Sequence, residues 1–345
     1  MAKEFLYRPQ VANGLMEEHG SAQGVYESRV CEKVFAPDSI SWAEREVEWC
    51  LSKGVKLIFN GEKSYPSLLQ HVPDAPFMLY YKGEADLNNQ RSISMVGTRL
   101  ASMYGKEACS MVVEHLAEYL PLVVSGLAYG IDITSHKAAL EQGLPTVAVL
   151  PNGLDMVYPA RHRDVAVQMV RGGGGLLTEF PRGTVPQKMN FVKRNRIIAA
   201  MTQALVVVES RVKGGSMITA EYASTYNKDI FAVPGRISDP NSFGCNYLIS
   251  RNVAAIYSSA LTLPIALGWS SGPGQEPGLQ PQLFSFDVEN KEKILLTLKF
   301  DTTVDVERIC TVTGLDWGVV CPLLLELELE GKVVSKGGSE YYLKR

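Results

Sequence analysis

Between Ile93 and Val233 short β-rich apolar runs alternate with stretches of helical periodicity. The runs are Ile93 to Val96, Leu122 to Val124, Thr146 to Leu150, Leu176 to Thr178, Leu205 to Val208 and Ile230 to Val233. Among the helical stretches are Lys106 to Tyr119, Asp132 to Gln142, Arg161 to Val170 and Met217 to Tyr226. Apolar strands without polar alternation must be covered on both faces, so the pattern predicts an α/β fold: an extended, Rossmann-like, doubly wound parallel sheet. Ligands of such sheets bind at the carboxyl ends of the strands, and the loops there are the first candidates for a site.

The flanks differ in kind. Val11 to His19 is helical and stops at Gly20; a capping-box pattern, Ser41 with Glu44, opens a second helix that stops at Gly54. Val55 to Phe59 and Phe77 to Lys82 are expected strands. After Leu267 a Ser/Gly/Pro-rich stretch from Ser270 to Pro281 cannot build a core and reads as a linker. Beyond it Lys291 to Phe300, Val304 to Val312 and Asp316 to Glu330 suggest three helices before a hairpin at Gly337-Gly338, the order of a winged helix. The expected division is a partial helical domain over 1–54, the sheet domain over 55–267, a linker over 268–284 and a winged-helix-like domain over 285–345.

A net charge of −3 over 345 residues excludes a chain coated in positive charge, so any nucleic-acid site must be one local patch. Six cysteines, at 31, 50, 109, 245, 310 and 321, form no CxxC pair and read as reduced thiols. Met1 to Gln10 lacks a signal-peptide core, and no run approaches the roughly 20 apolar residues of a membrane span, so a cytoplasmic protein without membrane contact is expected.

Four segments carry the candidate chemistry. The first strand ends in Gly97-Thr98-Arg99, and the second runs through Ser125-Gly126 to Gly130 and Asp132 straight into a helix. Glycines let backbone N–H groups approach an anion at a helix N-terminus, although a tight βα turn needs the same residues. No GxGxxG with a ribose-binding acid and no Walker A lysine is present, so neither a dinucleotide nor a P-loop site is indicated. From Arg182 to Arg196, the cations Lys188, Lys193, Arg194 and Arg196 surround Phe191 and Asn195 with no acid before Glu209. Read as a strand-end loop, this segment could pair phosphates and stack a base. Gly214-Gly215-Ser216 opens another helix, where capping and phosphate binding are equally compatible. Asp132, Glu179 and Glu221 are possible carboxylates for catalysis, with capping or hydrogen-bond anchoring as the simpler role for each.

Seven ordered strings together resemble the bacterial DNA-processing protein A family, also called Smf or DprA. They are Gly97-Thr98-Arg99, Ser125 to Asp132, Asp155 to Pro159, Arg194 to Ala199, Gly215 to Ala220, Phe231 to Gly235 and Gly244-Cys245-Asn246. The resemblance implies a non-enzymatic mediator that needs no cofactor or metal. It would bind single-stranded DNA on the Rossmann-like domain, form a homodimer through that domain, and load RecA recombinase onto DNA taken up in natural transformation. Arg99, Ser125, Gly126, Gly130, Lys188, Phe191, Lys193, Arg194, Asn195, Arg196, Gly215 and Ser216 would form the DNA site. The family's helical N-terminal domain is matched only over Val11 to Tyr26, and the third helix of the tail, with Asp316, Glu326, Glu328 and Glu330 and no cation, would repel a phosphate backbone. The rival is a nucleoside-monophosphate phosphoribohydrolase in which Glu221 acts on a single bound nucleotide.

Overall fold

The apolar runs form a nine-stranded sheet in a computed structural model that describes residues 9–28, 38–269, 288–299, 302–337 and 339–344. Its strands are β1 (Lys56–Phe59), β2 (Met78–Gly83), β3 (Ser92–Gly97), β4 (Leu122–Ser125), β5 (Thr146–Val149), β6 (Gly175–Thr178), β7 (Ala204–Glu209), β8 (Asp229–Ala232) and β9 (Ala255–Ile256). They lie in the order β1-β2-β6-β5-β4-β3-β7-β8-β9. From β3 to β9 the pairing is parallel, while β1 and β2 add an antiparallel edge. The chain winds outward from β3 to β6, then returns to the other side of β3 for β7, so the strand order reverses at β3. That reversal opens a crevice at the strands' carboxyl ends.

Because side chains alternate across a strand, each run feeds two cores. Val124, Val147, Leu177, Leu205 and Ile230 pack on one face beneath α4 (Ser67–Gln70), α8 (Lys188–Ala200), α9 (Gly215–Thr225) and α10 (Phe243–Ser250). Ile93, Met95, Val123, Val206 and Phe231 pack on the other beneath α5 (Met103–Leu116), α6 (Ile131–Glu141) and α11 (Thr262–Ala266). A further cluster places Met169 of α7 (Arg163–Arg171) with Leu127, Ala148 and Leu176. The core continues past Leu267: Trp269 is 9% exposed, donates to Gln203 Oε1 at 2.9 Å and lies 5.9 Å from the Tyr119 ring.

Three N-terminal helices are described, α1 (Pro9–His19), α2 (Ala22–Glu27) and α3 (Ser39–Lys53). The expected capping box is not formed. α3 begins before Ser41, whose hydroxyl donates to the Asp38 carbonyl at 3.1 Å rather than accepting from a free N–H. α3 packs on the antiparallel edge through Cys50 and Trp49, against Met78 and Tyr80. Its Glu46, 3% exposed, accepts from the Arg182 backbone N–H at 2.9 Å and forms an ion pair with the Arg182 Nε at 3.5 Å, while the Arg182 guanidinium lies 5.6 Å over the Trp49 ring.

The chain divides into two compact units, Met1–Pro277 and Gly278–Arg345. The expected linker lies, from Ser270 onward, outside the described residues. In the second unit, α12 (Val288–Thr297), β10 (Val304–Asp305), α13 (Val306–Thr313), α14 (Trp317–Leu329), β11 (Val333–Ser335) and β12 (Glu340–Leu343) form a winged helix around Ile294, Ile309, Leu324 and Leu327. Its acids are engaged locally: Asp316 caps α14 by accepting from Gly318 N, Glu326 and Glu330 pair with Lys291, and Glu328 accepts from Ser335 N. Among the described residues no single helix is long and apolar enough to cross a membrane.

His136, on α6, is fully buried with Nδ1 2.7 Å from the Thr146 hydroxyl, and burial pushes its pKa down to about 3. A base whose folded pKa is depressed contributes stability above its unfolded value, about 6.5, and loses it as pH falls toward the folded value. Unfolding free energy should therefore fall between about pH 6.5 and about pH 4 by up to ~1.4 kcal/mol per pH unit from this group. Urea midpoints across that range should show a shallower decline for His136→Gln than for the unaltered protein.

Candidate nucleic-acid interface

Three loops and one helix meet at the crevice. The β3 loop carries Arg99, the β4 loop runs from Gly126 to Gly130, the β7 loop leads into Gly215, and α8 begins at Lys188. Gly130 has a φ of 75°, and a Cβ there would sit 2.1 Å from the Thr98 carbonyl oxygen, so the β3 and β4 loops touch only because this residue is glycine.

The segment expected as a loop through Arg196 is helical from Lys188, and that changes the exposure of its cations. On a helix, residues three, four and seven apart share a side, and Lys188, Phe191 and Asn195 form such a row. Lys188 is exposed, and Phe191 and Asn195 are half-buried. Arg194 and Arg196 turn inward, each 3% exposed. The Arg194 guanidinium donates to the Gly126 and Val149 carbonyls, and its Nε donates to Asn195 Oδ1 at 3.2 Å. Burial pushes the neighbouring Asp132 carboxyl up and the Arg194 guanidinium down to about 10, and each group offsets part of the other's shift. Arg196 pairs with Glu179 and donates to the Asp74 carbonyl, while Asp74 also accepts from the Tyr226 hydroxyl at 2.7 Å. Lys193 is half-buried; burial lowers its pKa, and Glu179 opposes the shift. Arg194 and Arg196 are thus placed as internal ties, contrary to the expectation that they present charge to phosphates.

Ser125 is also internal, its hydroxyl donating to the Met95 carbonyl at 2.6 Å across β4 and β3. Gly126 serves the Arg194 tie, since a Cβ there would lie 2.2 Å from Nη1. Ser216 is 6% exposed and donates to Ser210 Oγ at 2.7 Å, whereas Gly215 is exposed and accepts from Asn195 Nδ2 at 3.4 Å. The crevice surface is left to Arg99, Lys188, Phe191, Asn195, Gly130 and Gly215. The Arg99 Cζ stands 4.8 Å from the Phe191 ring centroid and the Arg194 Cζ 5.9 Å. Tyr158, 42% exposed, meets Phe191 edge-on with centroids 5.8 Å apart, a residue not singled out from the sequence. Its signal was present as an aromatic inside the strand-end segment Asp155 to Pro159.

A phosphate can therefore pair with Arg99 and Lys188 beside half-buried Gly130 and exposed Gly215, with aromatic surface next to it. Glu221, central to the hydrolase alternative, is an exposed residue on α9. Among the described residues no group of three or more His, Cys, Asp or Glu could hold a metal ion.

The two glycine types should separate on mutation. Gly126→Ala forces the buried guanidinium off its carbonyls and should cost more than about 2 kcal/mol, because hydrogen bonds to charged groups are individually strong. Gly215→Ala, where a Cβ meets nothing within 4 Å, should stay within about 0.5 kcal/mol. Denaturant midpoints measure both.

The sequence profile of the DNA recombination-mediator protein A family matches residues 56–265, and that of the DprA winged helix domain matches residues 287–339. Protein Smf of Escherichia coli is 31% identical over 313 residues, covering 89% of this chain and 83% of that protein. The X-ray structure of DNA processing protein A from Streptococcus pneumoniae superposes with a TM-score of 0.63 at 31% identity, over 75% of this chain and 93% of that one. DNA processing protein A of Helicobacter pylori, described for its unique single-stranded DNA binding mode, gives 0.55 at 28% identity, over 62% and 95%. With a matching profile over most of its length and relatives matched across both units, the chain belongs to the DNA recombination-mediator protein A family.

Proposed function

We propose that this protein binds single-stranded DNA in the crevice at the strand reversal and mediates recombination by passing that strand to RecA, without catalysing a reaction of its own. The observation that carries the reading is the exposed Arg99 guanidinium seated 4.8 Å from the Phe191 centroid, beside Lys188 at the head of α8. Cations interleaved with aromatic rings in an open groove suit a flexible strand, whose bases are free to turn toward the rings; a duplex keeps its base faces stacked. The single-strand binding described for the Helicobacter pylori relative supports the same assignment. On this reading the working form is a cytoplasmic homodimer joined through the sheet unit, and the setting is the processing of DNA acquired by natural transformation. The DNA site is assigned to the sheet domain, where Arg99, Lys188 and the aromatic pair Tyr158 and Phe191 lie.

Fluorescence anisotropy against salt tests the assignment. A single-stranded oligonucleotide should bind more tightly than its duplex, with about 0.7 units of salt slope per neutralised phosphate. Arg99→Ala should lower that slope by about 0.7 and leave the melting temperature unchanged. Arg196→Ala should act in the opposite sense, removing about 3 kcal/mol of stability by stranding the buried Glu179 carboxylate. Equal affinity for the two DNA forms would refute the reading.

A further inference from the structure

We propose that Tyr158 is the residue that stacks a nucleobase in this crevice, and that Phe191 is the seat of Arg99 rather than the stacking ring. The inference rests on the single-strand reading above and deepens it by naming the group that meets the base.

Phe191 is the ring that the sequence offers, but its surroundings are already taken. It is half-buried, with one guanidinium 4.8 Å and a second 5.9 Å from its centroid, both at cation–π range. Arg194 cannot withdraw, because its guanidinium is bound to the Gly126 and Val149 carbonyls. Moving Arg99 aside for a base would give up both the cation–π contact and the cation that faces the phosphate. What Phe191 supplies is a fixed platform for a long, otherwise mobile side chain, which lowers the entropy lost when a phosphate binds.

Tyr158 has the complementary environment. It touches Phe191 at an interplanar angle of 69° and is 42% exposed. Its loop is held at several points: Asn152 Nδ2 donates to the Met156 carbonyl at 2.9 Å, Gly153 N to the Thr184 carbonyl at 3.1 Å, and Gly183 N to Asp155 Oδ1 at 3.1 Å. The loops after β5 and β6 are thus tied to each other in the segment that carries the tyrosine, which limits the backbone freedom lost when a strand binds. Arg99 and Tyr158 both contact the same Phe191 ring, so a phosphate on the cation and a base on the tyrosine belong to one nucleotide or to neighbours.

Single-stranded oligonucleotides with and without bases, the latter carrying abasic sugars on an intact phosphate backbone, decide the matter on the full-length protein. Tyr158→Ala should weaken binding of the normal oligonucleotide by about 5- to 150-fold, the range for losing one stacked base. It should leave abasic binding and the salt slope unchanged, and Tyr158→Phe should restore the affinity. Phe191→Leu should instead lower the salt slope by up to about 0.7, as Arg99→Ala does, because the cation loses its seat. Tyr158→Ala that binds both oligonucleotides normally, or that weakens both equally, overturns the proposal. So does Phe191→Leu that abolishes the preference for bases with the slope intact. An unaltered protein that binds no single strand overturns the underlying functional reading as well, and that outcome is distinct from a failure confined to Tyr158.

Discussion

The site depends on one buried cation. Arg194 reaches from α8 to the carbonyls at the ends of β4 and β5, and it stands under the ring that seats Arg99. A guanidinium removed from water costs several kcal/mol unless its donors are satisfied, and here carbonyls, the Asn195 side chain and the nearby Asp132 meet that requirement. The geometry this imposes is specific: the helix must sit at one height over the strand ends, and Gly126 must lack a side chain for the tie to close. A positive charge inside the domain thereby fixes where the positive charges outside it can be.

Much of the sheet was readable because apolar runs without alternation leave few alternatives, and their bounds matched the strands to within a residue or two. The site was harder to read, for a definable reason. Read as a loop, the residues from Arg182 to Arg196 turn every cation to water. Once Lys188 onward is helical, a 3.6-residue period sorts them, sending Arg194 and Arg196 inward and leaving Lys188 outward. Composition could not announce this, since the helix buries Asn190, Arg194 and Arg196 alongside apolar Ile197 and Ile198. Glycines misled in a similar way: Gly126 makes room for a protein guanidinium, although the same residue would suit an anion cradle. The acids that pair with Arg196, Asp74 and Glu179, lie in other segments of the chain, and only tertiary structure brings them close.

The winged helix repeats the lesson with opposite sign. Counting acids on α14 gives an apparently repulsive surface, yet Lys291 from another helix pairs with two of them and backbone N–H groups engage two more. Net charge along a helix is a poor guide to the field it projects when its neighbours are unknown.

The Glu46 carboxylate has a consequence for how the protein can be divided. α3 looks like an appendage, but its buried carboxylate is the acceptor for the backbone N–H of Arg182, in the turn that leads toward α8. Cutting the chain at the start of the sheet would leave that N–H without its acceptor and uncover the apolar edge formed by Met78 and Tyr80. A border drawn from the start of β1 separates residues that order one another.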